Sequence, residues 1–488
     1  MTSTDASLIN TQCRSKIVAT LGPASNTEES IRELFEAGVN VCRLNFSHGT
    51  HAQHAATLKI VRALASELDR PIAVLGDLCG PKIRLNKVPA GAVLRTGQSV
   101  RIVRGDADAT AETLTITYPR FVDEVRVGNR VYIDDGLVRL LVVDRSQDEV
   151  VCTCTVGGPI STRKGVNLPD SQLSVSALTE KDREDAAWAV EHQLDYLALS
   201  FARHPSDLQE LKSLLDSLGD AIPVIIKIEK AEAIEHLDAF VKQADGIMIA
   251  RGDLGVEMDL WEVPLMQKRI TQRCREFGKP VIVATQMLQS MVSNPSPTRA
   301  EVSDVANAIF DGTDAVMLSA ESASGEYPSH AVNMMTRIAR STEAYLDTQA
   351  PATVPVMLNE DHPVTSSIAL GAARMAQHLR ARLVAVWSAS GTTVRLIAQY
   401  RLRMPVIGLT SDAQIHRRMA LYFGVTPIQV PAISNPAEMA ARLDAILLER
   451  GLAKLNDLIV VVTSTRPHHV GTTDTTLVHR VGEAVSPS

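Results

Sequence analysis

The sequence predicts a (β/α)8 barrel with a small β domain inserted into it and an α/β domain after it. Eight short apolar stretches alternate with segments of helical periodicity, a pattern typical of parallel βαβ units. One long stretch instead has the period of two that antiparallel strands show. A Pro-rich segment then precedes a second alternating region, and the 488 residues leave room for about two to four domains.

The eight apolar stretches are the predicted barrel strands. In order, they are KIVATLG, NVCRLNFS, IAVLGDL, YLALSFA, VIIKIE, GIMIARGD, VIVATQM and AVMLSAE. Segments between them, such as SIRELFEAGV and AEAIEHLDAFVKQAD, have the spacing of apolar residues that predicts helices. We expect residues 1–81 and 177–347 to form this barrel.

The alternation of strand and helix is interrupted once, over residues 82–176. Short strands of period two, separated by Gly and Asp turns, predict a small β-barrel domain there, placed as a lid over the barrel mouth. After the Pro-rich link TQAPATVPVM, strands and helices alternate again. We therefore expect residues 348–488 to form an open α/β sheet covered by helices on both faces.

Composition and charge exclude several classes of function. The apolar fraction of 45% and the charged fraction of 22% are those of an ordinary globular protein. A net charge of -7 provides no basic surface for nucleic acid. The N-terminus has no signal-peptide core, and no stretch reaches the ~18 apolar residues of a membrane span. Six cysteines without metal-ligand spacing favour a reducing compartment, so we expect a cytoplasmic protein.

Polar side chains stand at or just past the ends of the predicted barrel strands. Because the C-terminal ends of all eight strands meet on one face of a barrel, we expect these side chains to form one site. Two carboxylates, a lysine and an arginine at such a face indicate a divalent metal that holds an anionic substrate. The residues are Arg43, Asn45, Ser47, Asp77, Ser200, Lys227, Glu229, Asp253, Thr285, Ser319 and Glu321.

The clearest candidate pair is Lys227 and Glu229, which are two residues apart and so face the same side of a strand. With Asp253 at the end of the next strand, two carboxylates, water and phosphate oxygens complete an octahedral Mg²⁺ shell. Arg43 and Arg84 indicate a phosphorylated substrate, because arginine binds phosphate bidentately. A plain salt bridge is the alternative interpretation of the lysine and the glutamate.

Other candidates also have a structural interpretation. Thr285 either holds a carboxylate or is an ordinary helix N-cap. His48, His51 and His54 have the spacing of a helix start, which favours a solvated face over a metal site. The chain has no Walker A or GxGxxG loop, so the phosphates of a nucleotide must be held by metal, arginine and lysine, with Lys164 reaching down from the lid.

Ten segments of the chain resemble the pyruvate kinase family, in the family's order and over essentially the whole length. They are TQCRSKIVATLGPAS, VCRLNFSHGTH, GDLCGPKIR, VYIDDG, RKGVNLP, IIKIEKAEAIEHLD, IMIARGDLGVE, VIVATQMLQSM, NPSPTRAEVSDVANAIFDGTDAVMLSAESASGEYP and GTTDTTLVHRV. The resemblance implies transfer of the phosphoryl group of phosphoenolpyruvate to ADP, giving pyruvate and ATP, with Mg²⁺ or Mn²⁺ as cofactor. It also implies a homotetramer.

The resemblance further implies roles for single residues. Glu229 and Asp253 would ligate the metal, and Lys227 would neutralise charge on the moving phosphoryl group. The residues implied to bind the substrate are Arg43, Lys227, Gly252, Asp253 and Thr285, and those implied to bind the nucleotide are Asn45, His48, Arg84 and Lys164. A water relay that protonates the enolate is expected to involve Thr285, Ser319 and Glu321.

One departure from the family concerns its monovalent cation. The oxygens that match the family's cation site belong to Asn45, Ser47, Asp77 and the Leu78 backbone, and much of the family has glutamate where this chain has Lys82. A fixed ammonium ~4 Å away is worth about 4 kcal/mol at an effective dielectric of ~20, which is ample to replace a bound ion. We therefore predict that K⁺ is not required. The alternative is that Lys82 lies in solvent at the lid hinge.

The C-terminal domain is predicted to bind an anionic effector. Strand LVAVWS leads into a helix through a loop that resembles the family's effector-phosphate loop, and hydroxyls with free N–H groups at a helix start bind anions. With Arg466 as a second contact, we expect a sugar phosphate or AMP; simple helix capping is the alternative. The loop residues are Ser388, Ser390, Gly391, Thr392 and Thr393.

Two other functions remain open from the sequence. A metal-dependent barrel aldolase or lyase acting on pyruvate or phosphoenolpyruvate enolates would explain Glu229, Asp253 and Arg43. It would not explain Lys164 on the lid or Arg84 at the root of the lid. A catalytically inactive metabolite sensor would explain the C-terminal domain, but not the polar residues retained at the strand ends.

Overall fold

A computed structural model describes residues 13–105, 108–110, 112–171, 173–219, 221–349, 362–432, 436–466 and 471–483. Of the predicted Pro-rich link, residues 350–357 lie outside this described part. No helix within the described ranges is long and apolar enough to cross a membrane. All six cysteines are free thiols, and both Cys152 and Cys154 are buried.

The first three barrel strands are β1 (Lys16–Leu21), β2 (Val41–Asn45) and β3 (Ala73–Asp77). The inserted lid follows with β4 (Val93–Leu94), β5 (Ser99–Val103), β6 (Thr113–Leu114), β7 (Arg130–Ile133), β8 (Val138–Arg145), β9 (Glu149–Val156), β10 (Gly158–Pro159) and β11 (Val166–Asn167). The barrel then continues with β12 (Tyr196–Leu199), β13 (Val224–Ile228), β14 (Gly246–Ala250), β15 (Val281–Ala284) and β16 (Ala315–Leu318). The C-terminal sheet contains β17 (Val384–Trp387), β18 (Val406–Thr410), β19 (Val425–Gln429), β20 (Leu458–Thr463) and β21 (Thr475–Arg480).

The eight barrel strands are parallel and close in the order β1-β16-β15-β14-β13-β12-β3-β2, which confirms the predicted fold class. The helices outside them are Glu28–Ala37, His51–Glu67, Glu180–Glu191, Pro205–Ser217, Ala231–Glu235, Leu237–Gln243, Arg251–Glu257, Val263–Glu276, Arg299–Phe310, Ala320–Ala323 and Pro328–Thr348, with a 3-10 turn at Gln289–Val292. The helix predicted over residues 231–245 is divided in two at His236.

Threonines define where four of the barrel helices begin. Thr27, Thr50, Thr179 and Thr298 each accept a hydrogen bond from the backbone three residues later, and that residue's side chain bonds back to the threonine amide. This capping box satisfies two backbone donors that have no partner inside the helix. The local sequence therefore fixes the start of each helix, and with it the length of the loop that follows the preceding strand.

The barrel interior is packed with side chains below the strand ends. Val18, Leu75, Ile225 and Met248 belong to one buried cluster that fills the space between the strands. Because side chains alternate along a strand, Lys227 faces the same side as Ile225. The apolar layer thus ends where the polar side chains begin, which places those side chains on the C-terminal face of the barrel.

The lid contains a six-stranded sheet in the order β11-β7-β8-β9-β5-β6, a separate β4–β10 pair and one short helix, Phe121–Glu124. Both edges of the sheet pair with the same segment, the two residues that follow Ile83. Arg84 forms an antiparallel bridge with Gly165 beside β11, and Leu85 forms one with Ile116 beyond β6. The sheet is therefore curled round on itself, in agreement with the small β barrel predicted for the insertion.

The C-terminal sheet has the order β19-β18-β17-β20-β21. Four strands are parallel as predicted, but β21 is an antiparallel edge strand that the sequence pattern had not indicated as a strand. The helices of this domain are Pro363–Leu379, Thr392–Ala398, Ala413–Arg418 and Pro436–Glu449, with a 3-10 turn at Met419–Leu421.

The C-terminal domain packs on the end of the barrel opposite the strand C-termini. Buried Asp314, which precedes β16, binds Arg401 with an Nη1–Oδ1 distance of 3.0 Å. Buried Asp195, which precedes β12, binds Arg417 with an Nε–Oδ1 distance of 2.8 Å. The Lys16 ammonium donates to the Val425 carbonyl at 2.8 Å. Charged contacts thus join the two domains on the side away from the predicted site.

Candidate active site

The ends of β2, β3, β12 and β13 bring five polar side chains into one contiguous group. Arg43 Nε donates to Asp77 Oδ2 at 2.6 Å, and Lys227 Nζ lies 3.3 Å from Asp77 Oδ1. Lys227 also donates to Ser200 Oγ at 2.6 Å and pairs with Glu229 Oε1 at 2.8 Å. Residues from four separate strands therefore meet around one buried ammonium.

Burial and charge together decide the ionisation of this group. Burial raises the pKa of the Asp77 carboxyl, but Lys227 and Arg43 more than offset that effect and hold it below its ordinary value. Burial lowers the pKa of Lys227, but the carboxylates of Asp77 and Glu229 outweigh it and raise the pKa above its ordinary value. The lysine is therefore a fixed positive charge at neutral pH.

Glu229 and Asp253 are the residues that fit a divalent metal. Glu229 is 1% exposed, and its Oε2 accepts from the Phe201 amide at 2.7 Å. Burial raises the pKa of Glu229; Lys227 opposes this, and the nearby Asp253 carboxylate adds to it. A cation beside these carboxylates would lower the free-energy cost of keeping them ionised while buried. Hard oxygen donors of this kind suit Mg²⁺ or Mn²⁺. The part of the chain that the structure describes contains no cluster of three or more metal-ligating side chains. Two carboxylates would leave the remaining positions of an octahedral shell to other oxygen donors.

Thr285 is held in a strained turn at the end of β15. Its φ is 71° and that of Gln286 is 54°, in the left-handed region that a β-branched residue rarely adopts. Thr285 Oγ1 accepts from the Gly252 amide and donates to the Ala284 carbonyl, both at 2.6 Å. The helix N-cap interpretation is therefore wrong, because no α-helix begins at Thr285. Such strain costs on the order of 1–3 kcal/mol and clusters at functional sites.

Glu321 ties the end of β16 to the strained turn after β15. Its Oε1 accepts from the Leu288 amide at 3.1 Å and its Oε2 from the Ser319 amide at 2.7 Å, and the side chain is fully buried. Both carboxylate oxygens are thus engaged by backbone. Glu321 fixes the position of the loop that carries Thr285, and Ser319 directly precedes the short helix Ala320–Ala323.

The lid residues lie at its junction with the barrel. Arg84 Nη1 donates to the Arg163 carbonyl at 3.0 Å, and Lys164 Nζ pairs with Asp134 at 2.9 Å. Because Arg84 forms an isolated β-bridge with Gly165, the residue after Lys164, the two predicted nucleotide contacts lie on neighbouring segments of the chain.

Lys82 is exposed at the hinge between lid and barrel, and its ammonium has no hydrogen bond or ion pair with any residue in the described ranges. It lines a small cavity together with Phe201 and Asp253. A free ammonium therefore stands at the edge of the site. Asp77 already has two cationic partners, Arg43 and Lys227, before any other cation is considered.

The remaining predicted residues lie at the ends of β2 and β3; Asn45 and Ser47 are half-buried, and Leu78 is buried. Asn45 ends the strand and its Oδ1 accepts from the Ser47 amide at 3.1 Å, while Leu78 follows β3 and its carbonyl accepts from Ser200 Oγ at 2.7 Å. Strand β2 ends at Asn45, so Ser47 lies in the following turn and not on the strand as predicted. His48 is exposed.

His51 and His54 pack around Trp188 and Phe46. His51 also contacts Asp185 at 2.7 Å, and His54 contacts the His48 carbonyl at 2.9 Å. These histidines form a partly exposed aromatic cluster.

Several residues that shape the site were missed from sequence. Buried Glu257 pairs with Lys230 at 2.6 Å and accepts from Asn167 of the lid at 2.9 Å, so it joins barrel and lid. Arg203 donates to two lid carbonyls, those of Leu173 and Val175. Lys230 and Glu257 lie inside the segments IIKIEKAEAIEHLD and IMIARGDLGVE, and Asn167 lies in RKGVNLP. The sequence signal that could have identified Lys230 and Glu257 is therefore their position as charged residues shortly after the predicted strand-end residues.

The predicted effector loop lines one cavity in the C-terminal domain. Ser388, Ser390, Thr392, Thr393 and Arg466 all border it. The loop also bonds to itself, because the Gly391 amide donates to Ser388 Oγ at 2.9 Å and the Thr392 amide donates to Ser390 Oγ at 3.4 Å. The structure therefore brings the predicted residues together. The alternative of simple helix capping is only partly met, because the N-cap residue is Gly391 and helix Thr392–Ala398 has no side-chain cap bond.

The fold and the site define a barrel enzyme that handles an anionic substrate, with cations and carboxylates at its strand ends and further cations on a lid. Models of two pyruvate kinase domains match the chain, the barrel domain over residues 12–332 and the alpha/beta domain over residues 366–479. This chain belongs to the pyruvate kinase family.

Curated relatives and a solved structure agree with this assignment. The chain is 43% identical to the pyruvate kinase of Mycobacterium intracellulare, over 96% of this chain and 99% of that one. It is 40% identical to the pyruvate kinase of Geobacillus stearothermophilus, over 97% of this chain and 81% of that one. A crystal structure of a pyruvate kinase from Cryptosporidium parvum has a TM-score of 0.88 and 31% identity, covering 97% of both chains. The predicted family is confirmed, and the aldolase or lyase alternative has no support.

Proposed function

We propose that this chain transfers the phosphoryl group of phosphoenolpyruvate to ADP at the C-terminal face of its barrel, releasing pyruvate and ATP. The observation that carries the proposal is the position of Lys227. Its buried ammonium contacts Asp77, Ser200 and Glu229, and the Asp253 carboxylate is close enough to influence its pKa. A rigid cation among metal-binding carboxylates suits phosphoryl transfer, in which catalysis is mostly positioning and charge stabilisation.

The substrate phosphate is bound by Arg43 and Lys227 in this proposal. Asp77 anchors both cations, so neither needs to reorganise as charge moves onto the bridging oxygen. Glu229 and Asp253 would hold Mg²⁺ or Mn²⁺, which would supply positive charge for the transfer. The carboxylate of phosphoenolpyruvate lies at the backbone of Gly252 and Asp253 and at the Thr285 hydroxyl, which the strained turn holds beside the Gly252 amide.

ADP approaches from the lid side. Arg84 and Lys164 contact its phosphates from two neighbouring segments at the lid junction, with Asn45 at the end of β2 and His48 in the loop after it as further contacts. Lys164 exchanges its Asp134 partner for a phosphate oxygen when the nucleotide binds. Closure of the lid excludes water, so the phosphoryl group passes to ADP and not to solvent.

The enolate left after transfer must gain a proton at carbon. Thr285 and Ser319 supply it through a water relay. Glu321 serves as a positioning residue for this step, since its two oxygens are bound to the Leu288 and Ser319 amides and hold the loop in place. This assignment separates protonation from phosphoryl transfer, which rests on Lys227.

A coupled assay for pyruvate tests the proposed function. Wild-type protein is supplied with phosphoenolpyruvate and Mg²⁺, with and without ADP. We expect pyruvate only when ADP is present. Pyruvate formed equally fast without ADP would assign the site to a lyase or a phosphatase, and no pyruvate in either case would favour a catalytically inactive sensor.

We also propose that the enzyme needs no K⁺. Asp77, one of the residues matching the family's cation site, is already neutralised by Arg43 and Lys227, and the unpaired ammonium of Lys82 borders the same cleft as Asp253. A sugar phosphate or AMP is proposed to bind the loop of Ser388–Thr393 with Arg466, because these residues border one cavity. Both proposals have their tests below.

Self-association into a homotetramer is the final part of this proposal. Leu260, Trp261 and Leu265 are 67%, 74% and 61% exposed on the barrel, and Leu477 and Val478 are 41% and 43% exposed on the antiparallel edge strand β21. Two separate apolar surfaces, each paired with its own copy about a twofold axis, generate a closed tetramer. Light scattering should then give four times the chain mass of 52.8 kDa. The free cysteines support a reducing, cytoplasmic location.

A further inference from the structure

A cavity of about 1000 Å³ lies between the N-terminal end of the barrel and the C-terminal domain. The barrel contributes the start of β1, the turn at residues 309–312 and the last turns of helix Pro328–Thr348. The C-terminal domain contributes residues on either side of β17 and β18 and the turn at residues 423–426. The cavity is at the opposite end of the barrel from Lys227, and none of the predicted effector-loop residues lines it. It is therefore separate from both sites described above.

The lining of this cavity is strongly cationic. Eight of its side chains are arginine or lysine and two are acidic, in a chain whose net charge is -7. Both acidic residues, Glu343 and Asp347, are already bound by Arg14: the Arg14 amide donates to Glu343 at 2.8 Å, and Nη1 lies 2.9 Å from Asp347. Arg401 also pairs with Asp314, which does not line the cavity. The basic side chains of the lining thus still outnumber the carboxylates that line it.

Three of these cations show how little compensation they have. Arg275 Nε is buried and has no hydrogen-bond partner in the described part of the chain, and burial, reinforced by Arg401, lowers its pKa to about 10. Burial lowers the pKa of Lys16 to about 8, and its ammonium donates to the neutral Val425 carbonyl. Arg382, which is exposed on the cavity wall, donates Nε–H to another neutral carbonyl, that of Leu452, at 3.2 Å. For Arg275 and Lys16, which are withdrawn from water without a direct anionic contact, burial costs free energy that a bound anion would offset.

We propose that this cavity binds an organic polyphosphate of about nucleotide size. Its volume matches the upper range of small-molecule pockets, about 300–1,000 Å³. Arginine fixes phosphate oxygens bidentately, so several arginines on opposite walls select a ligand with more than one phosphate over inorganic phosphate. Tyr400 and Met404 on the C-terminal side, with Phe310 on the barrel side, provide apolar surface for the organic part. Because both domains supply cations, the ligand joins them.

The test compares two double variants that remove the same charge. Arg382→Ser with Arg403→Ser alters two exposed arginines of the cavity wall, and Arg126→Ser with Arg442→Ser alters two exposed arginines outside it. Each protein is titrated calorimetrically with inorganic tripolyphosphate at 0.15 M salt and without divalent metal. The active site is intact in both, so a difference in binding belongs to the cavity. Matching thermal unfolding curves show that each variant is folded.

We expect wild type and the Arg126/Arg442 control to share a tripolyphosphate site that is at least tenfold weaker, or lost, in the Arg382/Arg403 variant. Adenosine triphosphate, titrated in the same way, should lose one of its binding events in that variant alone. Equal binding of tripolyphosphate to both double variants would overturn the proposal, as would the absence of any difference in stoichiometry between wild type and the cavity variant.

Discussion

At the residue scale, Lys227 forms ion pairs with Asp77 and Glu229 and a hydrogen bond with Ser200. The sequence predicted its pairing with Glu229, because residues two apart on a strand face the same side. Its contacts with Asp77 and Ser200 come from other strands, and only the closure of the barrel brings these within 3.3 Å and 2.6 Å. Strand-end position was therefore sufficient to predict the members of the group, but not the central place of Asp77.

Lys227→Met should reduce phosphoryl transfer on the order of 10²–10³-fold or more, because it removes a preorganised charge from the transition state. Pyruvate formation in the coupled assay measures this. Exchange of the C3 protons of pyruvate should persist, since Thr285 and Ser319 are assigned that step. Lys212→Met, which changes a lysine on the outer helix Pro205–Ser217, is the control and should leave turnover unchanged. Near-normal turnover in Lys227→Met would refute its assigned role.

Lys82 leads to a prediction about potassium. Turnover with Mg²⁺ in buffer free of K⁺ and NH₄⁺ should be close to that with K⁺ added, because fixed cations already provide the local positive charge. Lys82→Glu should shift the enzyme toward dependence on K⁺, since it puts a negative side chain at the edge of the cleft. A tenfold or greater rise on adding K⁺ to the wild type would contradict this account.

The turn after β15 is the element that sequence patterns described least well. A threonine followed by glutamine was consistent with a helix start, yet both residues have positive φ and no α-helix follows directly. Tertiary contacts impose this conformation: the Gly252 amide binds Thr285, and Glu321 binds the Leu288 amide. Such strain has no local sequence signal because its cause lies in Gly252 and Glu321, on the short helices that follow β14 and β16. The same limit explains why β21, a partly exposed edge strand of six residues, was missed.

The loop between β17 and helix Thr392–Ala398 is the proposed effector site, and ligand titration tests that proposal. AMP and sugar phosphates, titrated at low phosphoenolpyruvate, should change the activity of the wild type. Arg466→Gln should weaken the response at least several-fold, because one charge-assisted contact to phosphate is lost. A flat response to every compound would reject the effector site and leave Ser388 and Ser390 as capping residues of the loop.

The whole molecule is organised around two ends of one barrel. The three-part architecture was predictable because it depends on local periodicity. The signals were the alternation of strands and helices, the period-two insertion and the Pro-rich link. How the C-terminal domain packs could not be predicted. It depends on Asp195 and Asp314, which lie before their strands and pair with arginines more than 80 positions away along the chain.

Arg401→Met should destabilise the contact between the two domains by about 3–5 kcal/mol, because it leaves Asp314 buried without its guanidinium partner. Urea unfolding monitored by fluorescence and circular dichroism measures the loss. Arg403→Met is the matched control: Arg403 is two positions away and exposed, and its nearest carboxylate, Asp347, is 3.8 Å distant and 43% exposed. Equal stability of the two variants would show that the buried pair contributes nothing to docking.

The most direct test of the central claim follows the phosphorus atom itself. Phosphoenolpyruvate and ADP are mixed with the wild-type protein and Mg²⁺, and the reaction is monitored by ³¹P NMR. The account predicts that the phosphoenolpyruvate signal is replaced by the γ-phosphate signal of ATP, in equal amount to the pyruvate formed and only when ADP is present. Appearance of the phosphorus as inorganic phosphate, with ADP unchanged, would contradict it.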